Sequence, residues 1–269
     1  MEDLLKLREV RVAPVSSRFD LSQKIETLCK VIHEGDVIVF SSKFLAISQG
    51  RVVDLRTVRV THRGEALATR YRMDPRLCEL VIRESDEVIG GVPGFLLTLR
   101  DGLLTPNAGI DKSNIGPGKV VLYPWHPELL AECIRESIRF ASGISTAVII
   151  CDSRLSPTRR GTIGVAIAAS GLRAILDMRG KPDLFGNVLK VTSQAIADDL
   201  SSAAEILMGE SDESTPIIIV SGLGKGLGDF EYPSRRFSIP MEECVYLRSL
   251  GYKSRRHRLL ASSTPPRNS

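Results

Sequence analysis

The chain has 269 residues, of which 43% are hydrophobic and 25% are charged, the balance of an ordinary soluble globular protein. Its formal net charge is +4, but residues 251–269 contribute five basic side chains and no acid, so the rest of the chain carries −1. A body without excess positive charge argues against nucleic-acid binding, and the short apolar runs argue against a membrane helix, which needs roughly 20 apolar residues.

The cysteines and the N-terminus both predict a cytoplasmic protein. The five cysteines are odd in number and form no C-x-x-C pair, which favours reduced thiols over a disulfide framework or a zinc site. The first residues include acids and lack a long apolar segment, so we expect no secretory signal.

Four regular elements are predicted in the first half of the chain. Apolar residues recur at helical spacing over 21–32, and the continuous apolar run at 37–40 predicts a buried strand. Asp74 and Pro75 are typical of a helix start, and this helix extends to residue 84. Residues 95–104 predict a β-hairpin that leads into the segment at 107–111.

The second half mixes helices and strands without strict alternation, which indicates an α+β or mixed α/β fold. The predicted elements are helices over 127–140, 164–172 and 197–208, strands over 145–151 and 216–220, and a strand or extended edge over 190–195. Asp152 is expected in a loop after the strand at 145–151, and Gly209 is expected to end the helix at 197–208. Beyond Tyr252 the sequence offers little to bury, which predicts a disordered basic tail over 251–269.

Short oxygen-bearing side chains are concentrated at 107–114, which reads Asn-Ala-Gly-Ile-Asp-Lys-Ser-Asn. Carboxylate, amide and hydroxyl groups in one turn suit a hard divalent cation and its phosphate ligands. Asp152-Ser153 and Glu210 have the same character, so we predict that Asp111, Asp152 and Glu210 converge on one metal site. Each acid taken alone is equally typical of a solvated loop residue or a helix cap.

Three further patterns leave a structural interpretation open. The glycine-rich segment at 222–228 lacks the Ser or Thr of a Walker loop and the third glycine of a dinucleotide fingerprint, so a flexible connection is favoured. Cys151 has no histidine nearby in the sequence and is interpreted as a small hydrophobic residue. Arg83 and Arg159 each fit either a bidentate phosphate clamp or a structural ion pair.

Several short motifs occur together, in one order, along residues 10–222. They are the N-A-G-I-D-x-S-N string at 107–114 and the segments Gly50-Arg51, Arg83-Glu-Ser85, Cys151-Asp-Ser153, Gly164-Val-Ala-Ile-Ala, Lys190-Val-Thr, Ala197-Asp-Asp-Leu and Leu207-Met-Gly-Glu210. In these residues the chain resembles the family of the coenzyme F420:L-glutamate ligase, which is a gamma-glutamyl ligase. The resemblance is that of a divergent member. The resemblance implies mixed sheets with packed helices in two intertwined lobes, forming one catalytic unit over residues 1–250.

The resemblance also implies an activity. Such enzymes are amide ligases that use GTP and two divalent cations, Mn or Mg, and allow a monovalent cation. Their substrates are L-glutamate, the nucleotide and a carboxylate acceptor, a deazaflavin phosphodiester that is extended with γ-linked glutamate through an acyl phosphate. The resemblance further implies a homodimer with each active site near the subunit interface.

Individual roles follow from the same motifs. The implied metal ligands are Asp111, Asp152, Ser153 and Glu210. The implied nucleotide contacts are Pro14, Val15, Ser42, Lys43, Asn114, Glu210 and Ser211. Lys43 and Arg159 are expected to assist the reaction electrostatically.

The chain departs from the family pattern at several positions. Ile47 stands where the family has a lysine that contacts the nucleotide, Gln49 where it has a glutamate, and Ser156 where it has an arginine. These differences leave two alternatives open. One is a paralogous ligase that acts on a folate-like or other carboxylate, and the other is a non-catalytic relative that binds a metabolite or partner.

Overall fold

The computed structural model describes residues 4–223 and 238–252. The helices in these residues are α1 Leu21–Leu28, α2 Ser42–Ser48, α3 His62–Tyr71, α4 Pro75–Glu84, α5 Pro127–Ser142, α6 Ile196–Met208 and α7 Val245–Ser249. The strands are β1 Lys6–Val10, β2 Val37–Ser41, β3 Val52–Asp54, β4 Glu87–Val92, β5 Phe95–Arg100, β6 Leu103–Pro106, β7 Lys119–Val121, β8 Ala147–Leu155, β9 Thr162–Ser170, β10 Leu176–Asp177, β11 Ser193–Gln194 and β12 Ile217–Ser221. This mixture confirms the predicted α+β class.

A five-stranded sheet with the order β1-β12-β2-β8-β9 forms the centre of the molecule. β2 and β8 are parallel, and the other neighbouring pairs are antiparallel. Helices α1 and α5 cover one face, packing around Phe40 and Ile150, and α6 covers the other, packing around Val39 and Ile149. Because both faces are buried, the central strands need apolar residues at successive positions.

This double burial explains why several sequence predictions are confirmed. The apolar runs at 37–40 and 216–220 form β2 and β12. The predicted helices correspond to α1, α4, α5 and α6, and the predicted hairpin to β5 and β6. The extended edge predicted at 190–195 contains only the two-residue strand β11.

A second core lies between α3, α4 and the three-stranded antiparallel sheet β4-β5-β6. Beside it is a group of buried charges that we call the Arg51–Glu84–Arg100 cluster. Oε2 of Glu84 lies 2.5 Å from Nη2 of Arg51 and 2.6 Å from Nη1 of Arg100. The two guanidinium groups also stack on the rings of Trp125 and Tyr123, at 4.5 and 4.6 Å. The boundary between the two predicted lobes stays a prediction.

Two predicted elements are wrong. Residues 162–170 form the strand β9 instead of a helix, and β8 continues to Leu155, so Asp152 lies within a strand instead of a loop. The small residues of β9 do serve close packing, but against α6, since a Cβ at Gly164 would lie 2.3 Å from the carbonyl oxygen of Ser201. Pairing between β8 and β9 satisfies the backbone of both segments as far as Leu155 and Thr162.

Two further sequence predictions concern the C-terminal part of the chain. Most of the tail at 251–269 and of the glycine-rich segment at 222–228 lies outside the described residues. Across residues 4–223 and 238–252, every helix is too short or too polar to cross a bilayer.

Candidate active site

One edge of the central sheet opens into a cavity of about 590 Å³. The parallel strands β2 and β8 run toward this edge, where the segments after β1 and before β12 join them. Ligands of open sheets bind beyond the carboxyl ends of parallel strands. All the residues predicted as metal ligands or nucleotide contacts line this cavity: Pro14, Val15, Ser42, Lys43, Asp111, Asn114, Asp152, Ser153, Glu210 and Ser211.

The loop that carries Asp111 owes its shape to two supports. The side-chain oxygen of Asn107 accepts a hydrogen bond from the backbone amide of Leu96 at 2.9 Å. Gly109 has a φ of +72°, and a Cβ at this position would lie 2.5 Å from the Tyr123 ring, so glycine is required. Asn107 is therefore used in building the loop, and Asp111 is the acid that the loop presents to the cavity.

Asp111 forms an ion pair with Lys43, whose Nζ lies 2.5 Å from Oδ2. The same Nζ donates to Oγ of Ser113 at 2.6 Å, and the Ser113 amide donates to Oδ1 of Asp111 at 2.7 Å. Nδ2 of Asn114 donates to the carbonyl oxygen of Ser211 at 2.5 Å, which ties this loop to the segment after α6. Three parts of the chain that are far apart in sequence, at residues 43, 111–114 and 211, are thus neighbours.

β8 presents Asp152 and Ser153 to opposite faces of the sheet, because side chains alternate along a strand. Oδ1 of Asp152 accepts from Oγ of Ser42 at 2.6 Å, and Oδ2 accepts from Nε of Arg154 at 3.2 Å. On the other face, Oγ of Ser153 donates to Oε1 of Glu210 at 2.6 Å. The pairing of β8 with β9 shifts register just before these residues, and such bulges commonly re-aim side chains beside active sites.

Glu205 of α6 also lines the cavity, although the sequence interpretation missed it. Burial and then the charge of Glu210 raise the pKa of Glu205 to about 7. The Cys151 thiol lies 3.5 Å from Oε2 of Glu205, and burial raises its pKa well above the ordinary value, which agrees with an unreactive, small hydrophobic residue. Glu205 could have been identified from its helical spacing, because it lies four residues after Ser201 on the same face of α6, and Ser201 is fully buried.

Arg154 was missed for a different reason. Once Asp152 was assigned to a loop, nothing in the sequence placed the two side chains together. On the continuous strand β8 they share a face, and the Arg154 side chain is 5% exposed. The alternation of a longer strand would have revealed the pair.

The cavity lining is strongly acidic. It contains six carboxylates and one ammonium group, namely Asp111, Asp152, Glu205, Glu210, Asp212 and Glu213 with Lys43. Such an excess of negative charge would repel a phosphate ligand unless cations accompany it. The donor atoms are mostly carboxylate and hydroxyl oxygens, which fit hard cations such as Mg²⁺ or Mn²⁺.

The acids do not by themselves enclose a cation. In the part of the chain that the structure describes, no group of three His, Cys, Asp or Glu side chains is placed to hold a metal ion. The Asp111 and Asp152 oxygens instead contact Lys43, Ser42 and Arg154. Cation binding would therefore exchange some of these contacts for metal ligation.

Arg159 is the predicted site residue that the cavity lining does not include. It is exposed in the turn between β8 and β9, where its amide donates to the carbonyl oxygen of Ser156 at 3.2 Å. Its electrostatic assistance to a reaction stays a prediction.

The positions that depart from the family pattern have different surroundings. Ile47 lines the cavity, so its replacement of a lysine changes the wall of the site. Gln49 lies outside the lining and exchanges two hydrogen bonds with the Trp125 backbone, accepting at 2.8 Å and donating at 3.1 Å. Because a glutamate cannot donate, this pairing requires the amide.

The comparisons with known proteins agree with this geometry. The profile of the F420-0:gamma-glutamyl ligase family matches residues 9–222, a range that includes all the cavity-lining residues. The coenzyme F420:L-glutamate ligase of Methanopyrus kandleri is 38% identical over 209 residues, which cover 77% of this chain and 83% of that protein.

Two other relatives carry the same name. The coenzyme F420:L-glutamate ligase of Methanocaldococcus jannaschii is 36% identical over 216 residues, covering 80% of this chain and 86% of that protein. That of Archaeoglobus fulgidus is 34% identical over 213 residues, covering 79% and 85%. With this coverage, and with the cavity in place, the chain belongs to the F420-0:gamma-glutamyl ligase family.

Proposed function

We propose that this protein is a GTP-dependent ligase that extends a deazaflavin precursor of coenzyme F420 with γ-linked L-glutamate. The observation that carries the proposal is the acidic cavity at the carboxyl edge of the parallel strands, whose lining includes six carboxylate side chains and one lysine. Family membership and the names of the relatives supply the acceptor and the amino acid.

The acidic lining supports two divalent cations, Mn²⁺ or Mg²⁺, as partners of the nucleotide. Asp111, Asp152, Ser153 and Glu210 would hold them. When bound, the cations supply positive charge that offsets the charge moving onto the leaving phosphate.

Other residues would hold the nucleotide and orient it. Ser42 and Lys43 lie at the start of α2, directly after the buried strand β2, and both line the cavity. Asn114 and Ser211 lie on the two loops that approach each other across the cavity, and Pro14 and Val15 form part of the wall after β1. Lys43 would transfer its ion pair from Asp111 to the nucleotide phosphates once cations neutralise the acid.

The proposed reaction activates a carboxylate, because a carboxylate oxygen is a poor leaving group. An oxygen of the acceptor carboxylate attacks the γ-phosphorus of GTP, the bond from that phosphorus to the β-phosphate oxygen breaks, and GDP leaves. The glutamate amine then attacks the carbonyl carbon of the acyl phosphate. The carbon–oxygen bond to phosphate breaks, inorganic phosphate leaves, and the amine gives up a proton to solvent.

A homodimer is part of the proposal. The segment at 171–195, which contains β10 and β11, exposes large apolar side chains. Leu184, Phe185 and Val191 are 99%, 89% and 87% exposed. A cluster of this kind on a folded domain is typical of a surface that another chain covers. Light scattering of the purified protein should give twice the mass of one chain.

The decisive experiment is an assay with defined acceptors. Purified protein is incubated with Mn²⁺, GTP, labelled L-glutamate and either the deazaflavin precursor or a pterin carboxylate. We expect labelled deazaflavin product together with equal amounts of GDP and phosphate, and no product from Asp111→Ala. Elongation of the pterin alone would overturn the acceptor, and absence of nucleotide turnover with either acceptor would overturn the ligase.

A further inference from the structure

Arg154 connects two parts of the candidate site. Its Nε donates to Oδ2 of Asp152 at 3.2 Å, and its Nη1 donates to the carbonyl oxygen of Leu104 at 3.0 Å. Leu104 belongs to β6, which leads directly into the loop that carries Asp111. One side chain therefore bonds both to a proposed cation ligand and to the strand that delivers another.

Packing alone does not explain a guanidinium at this position. Its side chain is 5% exposed, and a buried charge is unfavourable unless it is paired. The ion pair that it forms is with Asp152, and Nη2 has no hydrogen-bond partner among the described residues. A leucine or methionine would fill the same space without a buried charge, so the features that require an arginine are its hydrogen bonds to Asp152 and to the Leu104 carbonyl oxygen.

We propose that Arg154 is a positioning residue that fixes the Asp152 carboxylate relative to Asp111 and thereby sets how the site binds divalent cations. The inference rests on the proposed function, in which both acids hold cations. Ser42 fixes one oxygen of Asp152 at 2.6 Å and Arg154 fixes the other, so the carboxylate has two anchors from separate elements.

Charge and orientation predict opposite effects when Arg154 is replaced. A positive charge beside the site repels cations, so if charge alone mattered, Arg154→Gln would bind Mn²⁺ more tightly than the wild type. If Arg154 positions Asp152, the same change weakens Mn²⁺ binding about 10-fold to 100-fold, the usual effect of removing the hydrogen-bond partner of a metal ligand. Arg154→Lys keeps the charge but cannot make both hydrogen bonds, so it also weakens binding.

The experiment is a Mn²⁺ titration of the full chain without nucleotide, followed by calorimetry or electron paramagnetic resonance. The temperature is held well below the unfolding transition of every variant. Arg56→Gln is the matched control, because Arg56 also pairs with an aspartate two residues earlier, Asp54, at 2.6 Å, but its side chain is 79% exposed and lies outside the cavity. We expect weaker binding for both Arg154 variants and unchanged binding for Arg56→Gln.

Asp152→Ala separates failure of this inference from failure of the proposed function. If Asp152→Ala binds Mn²⁺ like the wild type, the proposed metal site itself fails. If Asp152→Ala loses binding while both Arg154 variants bind as tightly as the wild type or more tightly, the positioning role is overturned. A purely structural Arg154 would lower the melting temperature and leave the Mn²⁺ dissociation constant unchanged, which also overturns the inference.

Discussion

The Arg51–Glu84–Arg100 cluster and the acidic cavity use charged side chains in opposite ways. In the cluster, one carboxylate lies between two guanidinium groups that also stack on aromatic rings. In the cavity, six carboxylates face one lysine. In the first group the acid is paired with two bases of the same chain, whereas the second has an excess of acids for which we propose cations as partners.

This difference distinguishes charges that are paired within the fold from unbalanced charges for which we propose a ligand-binding role. A buried charge stabilises a fold only when its partners are present in the same chain. Burial raises the pKa of Glu205 to about 7, and the charge of Glu210 adds to this rise. Unbalanced acids of this kind are more typical of functional sites than of structural ones.

The largest expected effect comes from removing one acid of the cavity. Asp152→Asn keeps the shape of the side chain but removes a charge that would hold a cation, and such a cation contributes several kcal/mol to the reaction, or about 10³-fold in rate. The measurement is GDP release with the acceptor present. Circular dichroism should show an unchanged fold, and wild-type turnover would contradict the assignment of Asp152.

Breaking the balanced cluster should affect stability instead of activity. Glu84→Gln leaves the buried Arg51 guanidinium without a carboxylate and leaves Arg100 with only the longer contact to Asp101 at 3.7 Å, and we expect the free energy of unfolding to fall by about 3 kcal/mol. Urea denaturation measures this change. The control Glu65→Gln alters a glutamate with 62% exposure and should shift stability by less than about 0.5 kcal/mol. A loss below that level for Glu84→Gln would show that the cluster is not structural.

Reducing the negative excess in the cavity should stabilise the protein and impair its function. Above pH 7, where Glu205 is mainly ionised, Glu205→Gln removes a charge that is repelled by Glu210, and without divalent cations we expect a gain of about 1 kcal/mol in unfolding free energy. Melting curves in chelator and in saturating Mn²⁺ test this, because Mn²⁺ should stabilise the wild type more than the variant. A variant that is less stable than the wild type in chelator would argue against charge repulsion at this position.

The smallest effect is expected at a neutral polar contact beside the cluster. Gln49→Glu loses the donor that bonds to the Trp125 carbonyl at 3.1 Å, which should cost about 1 kcal/mol and leave turnover unchanged. Gln23→Glu, at an exposed position of α1, is the matched control for the chemical change. Equal stability of the two variants would show that the Trp125 contact contributes nothing measurable.

The sequence allowed the central strands and the main helices to be predicted because burial on both faces leaves long apolar runs. It also indicated oxygen-bearing side chains that line one cavity, since the 107–114 segment and Glu210 follow regular elements in the chain. The convergence of Asp111, Asp152 and Glu210 on one metal site stays a prediction. It failed at β8 and β9 for two reasons. A strand that is polar at one end reads like a strand followed by a loop, and small apolar residues at 164–172 suit tight packing in either a helix or a strand.

The same failure hid Arg154 and its contact with Asp152. Their proximity depends on the two-residue periodicity of a strand, and the composition of this segment did not predict a strand. Glu205 was overlooked because its acid points from a helix toward residues that are distant in sequence. Long-range neighbours of this kind follow from the topology of the sheet, which local patterns do not specify.

The alternation of side chains along β8 limits how this family can change in length. Asp152 and Ser153 reach opposite faces of the sheet, so inserting or deleting a single residue between 147 and 152 would exchange the two sides and disconnect both. The turn at 156–161 carries no such restriction, because it follows the last paired residue of the strand. Natural length variation among relatives should therefore accumulate in that turn and be missing from the strand before it.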